Sequence, residues 1–563
     1  MLKLEALLEE WKTPGKNNLD NLKKAISILA EAEQIFEQGL EQSVDSSVWA
    51  AFLDITKKSP FLVALETATN RQKWSETIFR IIQHTNYDLR AMMEQRVAEH
   101  PQHVLFRDMS SASAVDWTYA QIYHHLREIA CVLHKTVPVK PRVAIYTENC
   151  LEGACTDLAC LMFNIFDTPL SPHFKTDVLL PIFNELKINI ALADTEERLT
   201  VLQKILEKAE TKFVIFSLQP STSKTRGIPY LVEEAKQISR WDMDLILKKV
   251  PARPINEVAT TMFTSGSTGI PKGVSFSIYN IVSKRFARAA ALPEVGGEVF
   301  LSFLPLFHTF GRYLEMTGAI FWNGTYIFAG NTSSETLLSL FPKMNPSGFI
   351  SIPLRWQELY EKCQDRIINL PNPALREKAV REVVGSRLHW GLSAAGYLDP
   401  EVFRFFNHYG IHLNSGFGMT EATGGITMTP PGNYKDFTVG IPLPGVRTRL
   451  SSVAELELSG HYIGRYLESA GPGDMIPFPV SAENDLWLST GDVFKISKDG
   501  FYQIVDRVKD IYKNNRGQTV APQVMEKKFY KVPGIQSVFL VGDNRPYNVL
   551  LIVPDKSDPI FDA

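Results

Sequence analysis

The sequence has little that would assign the chain to a secreted, membrane-spanning or nucleic-acid-binding class. Only five cysteines occur among 563 residues, and their spacing matches neither a zinc-ligand pattern nor CxxC. No apolar run approaches the length of a transmembrane helix, and the longest, near Leu158 to Phe166, is interrupted by Asn164. The net charge of -3 gives no sign of nucleic-acid binding. These absences favour a globular protein with buried thiols in a reducing compartment.

The start of the chain, MLKLEALLEEWK, is acidic and amphipathic, unlike a signal peptide. We therefore expect a cytoplasmic protein, for which peripheral membrane contact stays open. Residues 1–86 carry apolar side chains at helical spacing and no catalytic grouping. They predict a helical N-terminal extension, which is either a small bundle packed on the main body or a docking module for a protein partner.

From about Asp88 the pattern changes to short β-branched segments that alternate with helical ones. Arg142–Tyr146 is one such segment, and a second ends at Leu170. Strands that alternate with helices favour a parallel sheet, so the fold class predicted for the main body is α/β.

The stretch from Thr264 to Gly273, TSGSTGIPKG, combines glycines, hydroxyl side chains and one lysine. It lies between two strand-like segments, Val258–Phe263 and Val274–Ser277. Its glycines allow backbone N–H groups to approach an anion, its hydroxyls can donate hydrogen bonds, and its lysine can meet a phosphate charge. The residues concerned are Thr264, Ser265, Gly266, Ser267, Thr268, Gly269 and Lys272. The stretch fits neither the Walker pattern nor GxGxxG. The alternative is a Gly/Ser turn without a ligand.

Five further stretches carry residues suited to chemistry. They are LPLFHTFGR at Leu304–Arg312, SAAG at Ser393–Gly396, NSGFGMTE at Asn414–Glu421, STGD at Ser489–Asp492 and YQIVDRVKDIYK at Tyr502–Lys513. A carboxylate such as Glu421 suits Mg²⁺, which prefers a carboxylate together with phosphate oxygens. The Asp492 carboxylate can accept from two hydroxyls at once.

Taken in this order, the stretches resemble those of the adenylate-forming enzymes, a superfamily that includes acyl-CoA synthetases, firefly luciferase and peptide-synthetase adenylation domains. The similarity spans about Asp88 to Asp555, and LPLFHTFGR resembles the long-chain fatty acyl-CoA synthetase branch. The resemblance implies an adenylation domain of layered α/β sheets with a small β-barrel subdomain at residues 87–505. It also implies a partial α+β lid at residues 506–563, in addition to the helical extension.

The resemblance also implies a role for each candidate residue. Lys272 and the loop before it would hold ATP phosphates, Thr420 would donate to the α-phosphate, and Glu421 would bind Mg²⁺. Asp492 and Arg507 would contact the ribose. The adenine contacts would be Ala394, Ala395, Gly396, Phe417, Gly418 and Met419.

Three candidates have plain alternatives. His308 would line the pocket of the carboxylate substrate, although a histidine among Leu and Phe is more often a core residue. Lys509 would form a hinge and Lys513 would reach a nucleotide phosphate, although both also suit a solvated turn. The apolar run from Met316 to Trp322 suits an acyl tunnel and a core helix equally well.

The expected reaction is activation of a carboxylic acid, fatty in this branch, by ATP and Mg²⁺ to acyl-AMP, followed by transfer to coenzyme A. The resemblance also implies a further half lid beyond Ala563 with a lysine used in adenylation. Three explanations stay open for its absence here: a shortened chain, a lysine supplied by another polypeptide, or slow adenylation. The alternatives are an acyl-AMP ligase that loads an acyl carrier protein, an enzyme that activates amino or aryl acids, and a nucleotide-binding scaffold with little turnover.

Overall fold

The computed structural model describes most of the chain. The described residues are 2–12, 18–110, 113–220, 227–264, 271–291, 296–330, 332–430, 432–479, 486–513, 519–529, 532–543, 545 and 547–555. Every structural statement below refers to these residues.

The described residues between 2 and 85 are mostly helical, as their apolar spacing predicts. The helices are α1 (Leu2–Trp11), α2 (Asn18–Glu37), α3 (Ser46–Thr56), α4 (Ser59–Ala64) and α5 (Ala68–Thr85), with a 3₁₀ turn at Glu41–Ser43. Their shared core includes Trp49, Phe52 and Trp74, which are almost completely buried. The side chain of Asp45 caps α3 and that of Thr67 caps α5, so each helix begins where an N–H acceptor is available.

The first half of the main body builds a seven-stranded sheet from the described residues. Its strands are β3 (Arg142–Tyr146), β4 (Phe166–Leu170), β5 (Ile190–Ala193), β6 (Val214–Ser217), β7 (Val258–Thr264), β8 (Lys272–Ser277) and β18 (Arg465–Tyr466), in the order β18-β8-β7-β4-β3-β5-β6. The pairs from β7 to β6 are parallel, whereas β7, β8 and β18 run antiparallel. The strands predicted at Arg142–Tyr146 and on both sides of the glycine-rich stretch are confirmed.

A nine-stranded sheet forms the second layer. Its strands are β1 (Val104–Asp108), β2 (Val115–Thr118), β9 (Val299–Ser302), β10 (Thr325–Phe328), β11 (Gly348–Ser351), β12 (Trp390–Ser393), β13 (His412–Met419), β14 (Gly424–Met428) and β15 (Ile441–Pro442), in the order β15-β14-β13-β12-β11-β9-β10-β1-β2. Trp117 lies in β2, directly before α7. The helix begins at Tyr119 behind a capping box made by Thr118 and Gln121.

Helices cover both faces of these sheets, which confirms the predicted α/β class. They are α6 (Leu89–Glu99), α7 (Tyr119–Thr136), α8 (Leu151–Met162), α9 (Thr176–Leu186), α10 (Glu196–Lys208), α11 (Leu231–Lys236), α12 (Arg240–Lys249), α13 (Ile278–Ala291), α14 (Thr317–Phe321), α15 (Ser334–Met344), α16 (Pro353–Ile367), α17 (Pro373–Val384) and α18 (Pro400–His408). A π-helical segment, Phe310–Met316, leads directly into α14. The run from Met316 to Trp322 is buried in the main core, which favours the core-helix alternative.

The last part of the chain is mostly antiparallel. A four-stranded sheet contains β16 (Val446–Leu450), β17 (Glu455–Gly460), β19 (Leu488–Ile496) and β20 (Tyr502–Arg507), and it corresponds to the small β-subdomain expected from the resemblance. After it come β21 (Tyr512–Lys513), β22 (Thr519–Val520), α19 (Pro522–Glu526), a 3₁₀ turn at Lys527–Phe529, and the hairpin of β23 (Ile535–Val541) and β24 (Val549–Pro554). The Asp506 carboxylate accepts from the backbone N–H of Gln523 at 3.0 Å and so ties α19 to the end of β20.

Candidate active site

The glycine-rich stretch begins and ends at a matched pair of residues. Thr264, the last residue of β7, and Lys272, the first of β8, lie opposite each other where the connecting segment leaves the two strands. The loop residues Ser265, Gly266, Ser267, Thr268 and Gly269 lie outside the described residues. The Lys272 side chain is exposed, and its Nζ lies 5.6 Å from the centre of the Tyr466 ring. The Lys272 ammonium group is therefore accessible to an anionic ligand.

Glu421 is held beside this lysine by a second segment of chain. It lies in the 3₁₀ turn Thr420–Ala422, and its carbonyl oxygen accepts from the N–H of Gly464 at 2.7 Å. The Tyr466 hydroxyl donates to the Glu421 Oε1 atom at 3.1 Å. Burial, with the Glu421 charge and this hydrogen bond, raises the pKa of Tyr466 to about 12, so the tyrosine remains a donor at neutral pH. One aromatic side chain thus connects the lysine to the carboxylate.

The SAAG loop and the NSGFGMTE stretch meet because their strands are parallel neighbours. Ser393 ends β12 and is in register with Ser415 of β13, so the SAAG loop leaves the sheet beside the part of β13 that continues to Met419 and pairs with β14. Ala394 is buried, whereas Ala395, at a φ of 68°, and Gly396 are exposed. This edge presents small residues and open backbone, as an adenine-binding surface requires.

Phe417 and Gly418 form the opposite side of this edge. The Phe417 ring is half-buried and lies edge-on to the Phe494 ring, with 4.9 Å between the ring centres. A side chain at Gly418 would place its Cβ atom 2.4 Å from the carbonyl oxygen of Gly424, so only glycine allows the β13–β14 hairpin to close this tightly.

Asp492 lies on β19, two residues before Phe494. It is in register with Arg507 of β20, and the Arg507 Nε atom lies 3.3 Å from the Asp492 Oδ1 atom. Asp492 is only 7% exposed, whereas the Arg507 side chain is 67% exposed. Burial raises the pKa of Asp492, and the Arg507 charge opposes this shift. The pair offers a carboxylate acceptor and a guanidinium donor at one place.

These contacts form one continuous path across the cleft. Lys272 lies against Tyr466, Tyr466 donates to Glu421, Glu421 shares a hairpin with Phe417, and Phe417 packs on the strand of Asp492. Residues from four distant parts of the sequence are therefore connected by this path of contacts. Its two ends have the chemistry suited to a triphosphate and a ribose.

The remaining predicted residues lie at the margins of this path. Met419 and Thr420 are half-buried beside Glu421, and Lys509 and Lys513 are exposed beyond the end of β20. His308 is exposed, with its ring centre 4.5 Å from that of Phe307. Their roles in binding stay predictions.

Two features in this part of the structure are not predicted from the sequence. The first is Tyr466, which lies 45 positions from Glu421 along the chain. The second is the trio of cations on α13, Lys284, Arg285 and Arg288, which are all buried. The letters KRFAR are the signal for this trio, since three cations fall within five residues of a helix that is otherwise rich in apolar residues.

The sequence matches a known protein family over most of its length. The AMP-binding enzyme family matches residues 93–464. The chain belongs to the AMP-binding enzyme family. This confirms the predicted adenylate-forming superfamily, and with it the prediction that the chain is an enzyme that activates an acid with ATP.

Two curated relatives span most of the chain. Long-chain-fatty-acid–CoA ligase 5 of Mus musculus is 25% identical over 490 residues, which cover 77% of this chain and 70% of that protein. Long-chain-fatty-acid–CoA ligase FadD15 of Mycobacterium bovis is 24% identical over 515 residues, which cover 85% of this chain and 83% of that protein. The chain is thus similar to the long-chain branch that the LPLFHTFGR stretch indicates.

Solved structures support the fold. ATP-bound MatB from Rhodopseudomonas palustris superposes with a TM-score of 0.67 at 20% identity, over 84% of this chain and 90% of that chain. The anthranilate CoA ligase AuaEII, in complex with anthranoyl-AMP, superposes with a TM-score of 0.68 at 15% identity, over 84% of this chain and 88% of that chain. These likenesses confirm the predicted adenylate-forming fold.

Proposed function

We propose that this chain is an AMP-forming acid–CoA ligase, which converts a carboxylic acid and MgATP to acyl-AMP and then transfers the acyl group to coenzyme A. Membership of the AMP-binding enzyme family supports the first half-reaction. The curated relatives, which are CoA ligases by name, favour coenzyme A over a carrier protein as the acceptor. The relatives' long-chain fatty acids stand as the first candidates for the acid.

The observation that carries the proposal is the continuous path from Lys272 to Asp492. In the first half-reaction an oxygen of the substrate carboxylate attacks the α-phosphorus of ATP, the bond to the bridging oxygen breaks, and pyrophosphate leaves. Attack of one anion on another requires charge neutralisation. Lys272 would supply a positive charge at the phosphates, Glu421 would hold Mg²⁺, which would neutralise phosphate charge, and Thr420 would donate a hydrogen bond. The protein contributes positioning and electrostatics, as in other phosphoryl transfers.

The residues at the Asp492 end of the path would bind the nucleoside of ATP. In this proposal the adenine lies between Phe417 and the backbone of Ala394–Gly396, and both ribose hydroxyls donate to Asp492. Arg507, which already lies beside Asp492, adds a donor on the same sugar.

The link between Asp506 and α19 joins the end of β20 to the segment that follows. Lys509 lies directly after this junction, where a hinge would allow a thiol to enter for the second half-reaction.

The test is a panel of carboxylic acids scored for ATP-dependent pyrophosphate release, with and without coenzyme A. The proposal expects release that depends on the acid, and an acyl-CoA product when coenzyme A is present. A phosphopantetheinyl carrier protein, offered in place of coenzyme A, measures the alternative acceptor. If ATP binds and no acid supports pyrophosphate release, the chain is a nucleotide-binding scaffold and the proposal is wrong.

Replacing Tyr466 with phenylalanine tests the link between Glu421 and Lys272. The ring remains and the hydrogen bond to the carboxylate is lost, which costs about 1 kcal/mol, or about fivefold in the rate of acyl-AMP formation. Tyr360 is a matched control, because its hydroxyl donates to Glu401 at 2.9 Å away from the cleft. Equal rates for Tyr466→Phe, Tyr360→Phe and the wild type would remove Tyr466 from the site.

Replacing Asp492 with asparagine tests the ribose contact. Asparagine keeps the shape but loses the charge and one acceptor oxygen, and hydrogen bonds to charged groups contribute about 1.5–3 kcal/mol. The KM for ATP is therefore expected to rise by about ten- to a hundredfold. Asp365→Asn, on the exposed face of α16, is the control. An unchanged KM for ATP would show that the ribose lies elsewhere.

Three expectations about partners and location stay proposals. A cytoplasmic location, contact with a membrane surface and a protein partner for residues 1–86 each depend on the sequence alone. In the described residues no helix combines the length and the apolar character needed to cross a bilayer. The helical extension does contact the main body, because α5 packs along α13.

A further inference from the structure

A large cavity lies at the opposite end of the seven-stranded sheet from the candidate active site. Its volume is about 730 Å³, which is within the range of pockets that hold small organic ligands. Arg142, Phe166 and Val258, the first residues of β3, β4 and β7, line it. The last residue of β7 is Thr264, at the glycine-rich stretch, and the strand between the two ends is about 20 Å long. The cavity is therefore separate from the residues proposed to bind ATP.

The lining of this cavity has an excess of positive charge. Its one carboxylate is that of Glu257, and its cations are Lys135, Lys140, Arg142, Lys249 and Arg253. The three lysines are exposed, and the two arginines are half-buried. Among the described residues, no salt bridge joins any of these cations to a carboxylate. A concave surface lined by charges of one sign attracts a ligand of the opposite sign.

Helix ends account for part of this charge. Lys135 lies in the last turn of α7 and Lys249 is the last residue of α12, where a cation offsets the negative end of the helix dipole. This explanation does not extend to Arg142, which begins a strand, or to Arg253, which lies in the segment between α12 and β7. Two arginines thus remain that the helix dipoles do not explain.

Arg253 is held in place with part of its donor capacity unused. Its Nε atom donates to the Asn164 Oδ1 atom at 3.0 Å, and the Asn164 Nδ2 atom donates to the carbonyl oxygen of Pro251 at 2.9 Å. Its Nη1 atom is buried without a hydrogen-bond partner. Burial lowers the pKa of Arg253, so a bound anion would stabilise the charged form. The guanidinium is therefore positioned to donate to a ligand.

The rest of the lining is largely aliphatic and stiff. Proline fixes its own φ angle, so the prolines here favour a cavity that exists before a ligand binds. They are Pro138, Pro141, Pro251, Pro254 and Pro472. Val139, Ile246 and Val250 add further apolar surface. Such walls suit an aliphatic body, whereas a bare inorganic anion would leave most of them without contact.

We propose that this cavity binds an alkyl phosphate, with the phosphate beside Arg253 and Lys249 and the aliphatic body against the proline-rich walls. A phosphate monoester carries nearly two negative charges and three acceptor oxygens, so it can pair with several cations at once. The guanidinium fork of Arg253 matches phosphate geometry. The site is outside the proposed adenylation chemistry, and the inference does not rest on that function.

The test is isothermal titration calorimetry of the full chain with hexyl phosphate. We expect one site per chain. We also expect a Kd about tenfold or more below those of inorganic phosphate and hexanol, because the first lacks the apolar contacts and the second lacks the charge. Dodecyl phosphate, used below its micelle concentration, distinguishes a lipid source of the ligand from a short soluble one, and tighter binding of either ester supports the site.

Variants show whether the probe lies in this cavity. Arg253→Gln should raise the Kd of hexyl phosphate by about tenfold. Lys249→Met should raise it by about three- to fivefold, and because Lys249 is exposed this variant tests the site without disturbing the fold. Lys248→Met is the matched control, since Lys248 is exposed at the same helix end and does not line the cavity. Lys248→Met and Lys272→Met should both keep the wild-type Kd.

Several results would overturn the site. One is no binding of hexyl phosphate, and another is an equal Kd for hexyl phosphate and inorganic phosphate. Equal Kd values for the wild type, Arg253→Gln and Lys249→Met would exclude the cations of this cavity. Loss of binding in Lys272→Met alone would show that the probe binds with the residues proposed for ATP. Each readout is binding, so none of these results depends on ligase turnover.

Discussion

Replacing Glu421 with alanine is expected to reduce acyl-AMP formation by about a hundredfold or more and to leave the fold intact. The carboxylate is the group proposed to hold Mg²⁺ against the phosphates, and losing one such charged contact costs about 3 kcal/mol of transition-state stabilisation. Glu421 lies in a short turn and its side chain is not part of the buried core. The measurement is acid-dependent pyrophosphate release, with the circular dichroism spectrum and the Tm measured alongside.

Glu401 provides a matched control for this experiment. Like Glu421 it accepts a hydrogen bond from a tyrosine hydroxyl, in this case Tyr360, but it lies on α18 away from the cleft. Glu401→Ala should keep the wild-type rate. If Glu421→Ala also keeps it across a range of Mg²⁺ concentrations, Glu421 has no part in the chemistry.

The second large effect concerns stability. Arg312→Met should lower the free energy of unfolding by about 3–5 kcal/mol, because the guanidinium is the buried partner of two carboxylates. The Arg312 side chain is completely buried, its Nε atom donates to Asp157 at 2.9 Å, and its NH2 group donates to Asp167 at 2.8 Å. Without it, two buried carboxylates lie together and have lost the cation that contacts both of them. The measurement is the midpoint of urea denaturation.

Arg404 supplies the contrast, because it pairs with Asp436 at the surface, where its side chain is 56% exposed. Arg404→Met should cost less than about 1 kcal/mol, as exposed ion pairs do. In a triple variant, Asp157→Asn and Asp167→Asn should restore part of the stability that Arg312→Met removes. Equal midpoints for Arg312→Met and Arg404→Met would show that the buried network contributes little.

The order of motifs along the chain was sufficient to predict the fold class and the family. The strands on both sides of the glycine-rich stretch were predictable, because β-branched and apolar residues flank a run of glycines and hydroxyls. Phe417 and Asp492 are 75 positions apart, yet both come from recognisable stretches, and β13 and β19 meet through Phe417 and Phe494. Local pattern and family resemblance together were therefore informative here.

The features that were missed depend on tertiary packing. Tyr466 reaches Glu421 only because the short strand β18 pairs with β8, and two residues of strand leave no periodic signal. KRFAR on α13 resembles a solvated helical face, and only the packing of α5 shows that it is buried. The arginine in LPLFHTFGR was part of a recognised stretch, but its partners come from α8 and β4.

In the proposed first half-reaction, a substrate carboxylate attacks the α-phosphorus of an ATP bound along the path from Lys272 to Asp492. The most direct measurement follows oxygen-18 from a labelled carboxylic acid into the nucleotide product by mass spectrometry. We expect the AMP released on transfer to coenzyme A to carry one labelled oxygen. Label found in inorganic phosphate, with ADP as the nucleotide product, would contradict it.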